Sequence, residues 1–136
     1  MFAISIELLE YGWADMEIII DGHSSLVVFE NTPNDALEDL LQSAIRLVTY
    51  GDSSTISFPN GPEKEVLSIE NIDDTNCKVS VNQHFEELPA KHCLRTILRL
   101  FDKYIHAHSI EKYETGWNRS FPSKELDLLR KKYGML

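Results

Sequence analysis

The stretch TPNDALEDLLQSAIRLVTYG, residues 32 to 51, decides the fold. Leu37, Leu40, Leu41, Ala44, Ile45 and Val48 recur at helical spacing and make one apolar stripe. Thr32 suits the N-cap, Pro33 the first helical position and Asp35 the third, an approximate capping box. Asp35, Glu38 and Asp39 fall in the first turns, where carboxylates complement the helix dipole. Gly51 can stop the helix in the left-handed conformation. A stripe this wide has to be covered, and strand-like segments lie on both sides of it.

Before the helix, Phe2, Ile4, Ile6 and Leu8 alternate with smaller or charged residues, the pattern of a half-buried strand. Tyr11-Gly12 breaks it. Residues 13 to 20 read as a second strand, with Ala14, Met16, Ile18 and Ile20 on one face and Trp13, Asp15, Glu17 and Ile19 on the other. Asp21-Gly22 is a two-residue hairpin signal. Residues 23 to 30 form a third strand, apolar on both faces from Leu26 to Phe29 and therefore expected at a central position. After the helix the layout repeats: strands over 55–58, 65–71 and 77–83, then a second long helix from Pro89. Its stripe is Ala90, Cys93, Leu94, Ile97, Phe101, Tyr104, Ile105 and His108. Residues 113 to 121 read as an aromatic loop, and a short last helix opens at Pro122 or Ser123.

Short hairpin links favour an antiparallel sheet, and two amphipathic helices need one face of it. The expected fold is α+β: a two-layer sandwich with about six antiparallel strands in a βββα-βββα layout. Two long helices cover one face, and the short C-terminal helix lies with them, on the other face or across an edge. All 136 residues form a single domain of ordinary globular composition. No apolar run is long enough to span a bilayer, and the N-terminus lacks the features of a signal peptide. Cys77 and Cys93 fall at core-facing positions outside any CxxC pair, which suits buried reduced thiols and a cytoplasmic protein.

The formal net charge is −9, unevenly distributed. Up to Ala90, three bases face seventeen acids; from Lys91 onward, ten bases face five acids. That polarity argues against nonspecific binding to nucleic acid or an anionic membrane, and suits a basic partner for the first two-thirds. Alternatively, the two regions neutralise each other in the fold. Lys91, Arg95, Arg99 and Lys103 are spaced by four, a basic ridge opposite the apolar stripe of the second long helix. It reads as a solvated face, or as a contact for phosphates or carboxylates.

Catalytic signatures are missing. The sequence has no GxSxG, no Gly-rich phosphate loop and no HExxH, and His106 and His108 point apart on a helix. A metal site would need distant ligands such as His84 and His92, and surface histidines are the simpler account. The expectation is a protein with no catalytic residues, no metal and no cofactor. On the polar sheet face, Glu7, Trp13, Asp15 and Glu17 stand out as candidate partner-binding residues, an aromatic anchor amid carboxylates. The first turn of the helix and the Asp73-Asp74 turn are alternative acidic sites.

Three segments together carry a resemblance: Tyr11-Gly12-Trp13-Ala14-Asp15, the pattern from Asp35 to Leu41, and Gly116-Trp117 through Phe121-Pro122. The chain resembles a group of small bacterial α+β proteins similar to the immunity proteins of toxin systems, including contact-dependent growth inhibition. The resemblance implies a cytoplasmic inhibitor that binds a cognate protein toxin, a basic nuclease by charge, and occludes its active site. A small-ligand-binding or regulatory module is the alternative.

Overall fold

Asp35, not Thr32, caps the first helix. Its side chain accepts the Glu38 N–H at 3.2 Å, and helix α1 runs Ala36–Tyr50. Gly51 closes it at φ +70°, its N–H reaching back to the Arg46 and Leu47 carbonyls. The computed structural model describes residues 1–136 apart from the side chain of Glu63. Ahead of α1 lie strands β1 (Ala3–Leu8), β2 (Trp13–Ile20) and β3 (His23–Glu30). After it come β4 (Ser54–Asn60), β5 (Glu63–Asn71), β6 (Asn76–Val81) and β7 (His84–Pro89). Helices α2 (Ala90–Ala107), α3 (Ile110–Trp117) and α4 (Ser123–Gly134) complete the chain.

The class is α+β, but the expected single sheet is two. β1-β2-β3 make an antiparallel sheet of three strands, and β4-β5-β6-β7 one of four. β3 and β4 lie side by side without a hydrogen-bonded ladder. Pro59 takes one N–H out of β4, and proline is tolerated there because β4 is the edge of its sheet. β3 is accordingly an edge strand, not a central one. Its apolar outward residues, Leu26 and Val28, are 79% and 45% exposed.

Two elements differ from the sequence expectation. β7 was missed because its turn is Asn82-Gln83, which lacks glycine; Asn82 supplies the positive φ, +55°, itself. The expected aromatic loop is largely helix α3, with Ser109 as N-cap and Asn118 as left-handed C-cap. Gly116 inside it obscured the signal, since glycine disfavours helix interiors. Tyr113 and Trp117, four apart, are its buried face.

The apolar faces of both sheets share one core with the helices. Ile4, Ile18, Ile20, Leu67, Ile69, Val79 and Val81 are all buried, as their alternation required, while Ile6 on the same face of β1 is half-buried. α1 packs on β4 and α2, and α2 packs on β1, β6 and β7, so the second helix bridges both sheets. α4 lies against α1 and α2 rather than on the far side or across a sheet edge. α3 closes the end near β1 and β2. There the chain is pinned by Gly12 N–H to Gly116 O at 3.1 Å, Asn31 Nδ2 to Trp117 O at 2.9 Å and Arg119 to Asn31 O at 2.6 Å. A side chain at Gly12 would run into Asn31, so this turn needs glycine for space as well as for its φ of +79°.

Cys77 and Cys93 are free, buried and adjacent. The Cys93 thiol is held well above its ordinary range by the hydrogen bond with Cys77 and by burial, so it stays protonated and poorly nucleophilic. No helix of the described residues is long and apolar enough to cross a membrane.

Two outcomes follow from this packing. Leu41 is fully buried, and Leu41→Ala should cost about 2–5 kcal/mol in urea unfolding through the cavity it leaves; a loss below ~1 kcal/mol would mean the site collapses freely. Adding a reductant should leave the melting temperature unchanged, whereas a fall would reveal a cross-link between the two thiols.

Candidate functional site

The residues singled out from sequence meet on the outward face of the three-stranded sheet. Side chains alternate across a strand, so Trp13, Asp15 and Glu17 share one face of β2. Register then fixes their neighbours. Asp15 stands between Glu7 on β1 and Val28 on β3, and Glu17 between Ser5 and Leu26. Trp13 pairs with Glu30 at the end of the sheet. Glu7 is exposed; Trp13, Asp15 and Glu17 are half-buried, which leaves them less open than full exposure of all four would require. Glu17 accepts a hydrogen bond from Ser24 Oγ at 2.6 Å. Among the described residues, no ion pair involves Glu7, Asp15 or Glu17.

Glu7 and Asp15 are directly opposed like charges, an arrangement that costs stability. The outward face of the second sheet, by contrast, carries a cation among its acids. There Lys78 lies in register between Glu70 and Glu87, and its ammonium sits 4.7 Å from the centre of the Phe85 ring. Ser68, Glu70 and Ser80 alternate outward from their strands as Asp15 does from β2. The division into two sheets puts them on a separate face, around Lys78. The apolar half of the first face, Leu26 and Val28, is not among the residues that the sequence singles out. The period-two pattern held the signal, but a central position for β3 hid it.

The alternative acidic sites are occupied by structural work. The Asp73 carboxylate accepts N–H bonds from Thr75 and Asn76 at 2.9 Å each, forming the β5–β6 turn. Those bonds, the Thr75 N–H first, hold its pKa below the ordinary carboxylate value. Asp35 caps α1 and also accepts the Trp117 indole N–H at 2.9 Å. Asp39 accepts from Asn34. Glu38 is raised above its ordinary value, by burial first and then by Asp35, Glu125 and Asp39. Tyr113, enclosed and with no partner for its hydroxyl among the described residues, is raised too, by burial and then by Asp35 and Glu38. This cluster at the starts of α1 and α4 is a site of electrostatic tension inside the fold.

The bipolar charge distribution is not cancelled by pairing. Arg46 pairs with Asp52, and Arg130 with Asp102 and Asp127, each bond staying within its own part of the chain. Among the described residues, no side-chain ion pair joins the acid-rich region to the base-rich one. His23 and His84 stack at 3.9 Å where the β2–β3 hairpin meets the β6–β7 turn, and His92 is on α2. Among the described residues, His84 and His92 belong to no group of three or more metal-ligating side chains.

Glu38 sets a pH dependence. Its folded pKa exceeds the unfolded one, so the folded state holds more protons between the two values and loses stability as pH rises through that window, above 4.5. Glu38→Gln should therefore raise the melting temperature at pH 7, and the gain should shrink on acidification through the window. A gain that does not change with pH would assign the effect to packing.

No protein-family model matches the chain, and searches of curated proteins and of solved structures likewise give no match, so the assignment of function rests on the geometry of this face.

Proposed function

We propose that the protein is an immunity protein, a non-catalytic inhibitor that binds a basic cognate toxin through the outward face of β1, β2 and β3. The observation that carries the reading is the combination on that face: Glu7, Asp15 and Glu17 without cationic partners, beside exposed Leu26 and Val28. An apolar centre supplies contact area, and unbalanced carboxylates supply steering and selectivity for a cationic surface. Repulsion between Glu7 and Asp15 is relieved when a cation enters between them, so the free protein is primed for such a partner. A nuclease fits the chemistry, because carboxylates can occupy the field in which such an enzyme holds phosphates. The half-buried Trp13 sits at the rim of the patch as an anchor.

A small-ligand module is the second reading. The groove that favours it, about 630 Å³, runs between the end of α1, the β5–β6 turn and the start of α2.

The test is the charge reversal Asp15→Lys with Glu17→Lys, in protein shown by circular dichroism to remain folded, against a candidate toxin from the native host. Association should slow about tenfold or more at low salt, with the gap closing as salt is added. Unchanged affinity at low salt would remove this face from the interface.

A further inference from the structure

The basic ridge of α2 is not a uniform solvated stripe. Lys91 turns away from it: its ammonium lies 3.5 Å from the Leu136 carbonyl and 5.5 Å from the centre of the Tyr133 ring. Arg95, Arg99 and Lys103 instead line a groove of about 250 Å³ together with His92. The opposite wall is the start of β1, Phe2 to Ile4, with Leu88 of β7. The Thr96 hydroxyl donates to the Phe2 carbonyl at 3.0 Å, which ties β1 to α2 and fixes the width of the groove. Four-residue spacing sets the three cations about 6 Å apart along the wall.

The chain has twenty-two acids against thirteen bases, yet among the described residues Arg95, Arg99 and Lys103 have no ion-pair partner. Like charges four apart on a helix repel, so the fold bears a cost here that it does not offset. One carboxylate, Glu86, lines the groove, and its oxygen is already engaged by the Asp21 N–H at 2.8 Å and the Met1 amino group at 2.9 Å. Neither the proposed toxin surface nor the core uses these three cations.

We propose that this groove is a binding site for a compact phosphorylated ligand, with a pyrophosphate-sized group held between Arg95, Arg99 and Lys103. Guanidinium forks match phosphate oxygens in pairs, and a lysine adds a point charge. The volume falls below the ~300 Å³ at which pockets for whole drug-sized ligands begin. Only the anionic part of a larger molecule is enclosed. A long polyanion is disfavoured, because the chain as a whole, the three groove cations included, carries a formal net charge of −9. A compact anion feels the local field alone.

The experiment uses the full chain at low salt with four probes: inorganic pyrophosphate, ATP, adenosine and a single-stranded deoxyoligonucleotide. Calorimetry gives affinities, and amide NMR maps the contacts on the unaltered protein. Saturable binding of pyrophosphate or ATP, with shifts centred on Arg95, Thr96 and Arg99, is expected; binding of ATP alone would mark the ligand as a nucleotide, and equal binding of both would mark the phosphate group as sufficient. Arg95→Gln with Arg99→Gln should weaken that binding at least fivefold, while Lys124→Gln on α4 should not. The assignment is overturned if neither phosphate probe binds at millimolar concentration, if adenosine binds as well as ATP, if the oligonucleotide binds more tightly than pyrophosphate, or if the double variant loses less than fivefold.

Discussion

One carboxylate oxygen of Asp35 joins the two ends of this fold. It accepts the Glu38 N–H that starts α1 and the indole N–H of Trp117, a side chain eighty-two residues away with no exposed surface. The helix start satisfies the buried indole, and the indole fixes where the helix starts. An indole N–H in a core without an acceptor is costly, so the last third of the chain has to bring Trp117 to this point. Phe29 and Phe58, one from each sheet, then pack in edge contact, and Phe29 meets Trp117 in the same way. The bonds from Gly12 and Asn31 to Gly116 and Trp117 seal the same corner. The outward acidic face is displayed on a sheet whose turns and ends are held by these contacts.

Much of this was legible in the residues. Period-two alternation located β1, β2 and β3, and because a strand has only two faces it also brought Glu7, Trp13, Asp15 and Glu17 to one side. Periodicity of 3.6 found α1, α2 and α4 and most of their buried positions, but His108, expected on the stripe of α2, is exposed just past its end, and Leu98 and Leu100 are buried outside that stripe. The misreadings have physical sources. A cap is chosen by three-dimensional competition, and Thr32 lost to Asp35 because Asp35 also serves Trp117. The break between the sheets is invisible in a pattern that records which face is apolar but not which strand is next to which. Hence the apolar run from Leu26 to Phe29 suggests a central strand, whereas β3 is an edge that leaves Leu26 and Val28 exposed. The turn at Asn82 lacked glycine, and α3 held one in its interior; both obscured real elements.

Charge gave the least ambiguous sequence signal and the least expected outcome. A chain with acids early and bases late invites internal neutralisation, yet the observed pairs stay local. The acids of the first sheet and the cations of α2 are therefore available at separate places, one broad and mixed with apolar groups, the other narrow and walled by backbone. Breadth suits a protein surface, and a narrow cationic groove suits a small anion. The two assignments stand on different residues.

The seam between β3 and β4 has a consequence for motion. Across it no main-chain bond has to break for one sheet to move against the other, only side-chain contacts that tolerate small sliding. Backbone amides within each ladder are expected to open together, as two cooperative units with their own exchange rates. α2, which touches both sheets, is the splint across them. A ligand wedged between α2 and β1 would then stiffen the whole molecule rather than one surface of it, with the loss of relative sliding felt at the exposed edge where Leu26 and Val28 lie.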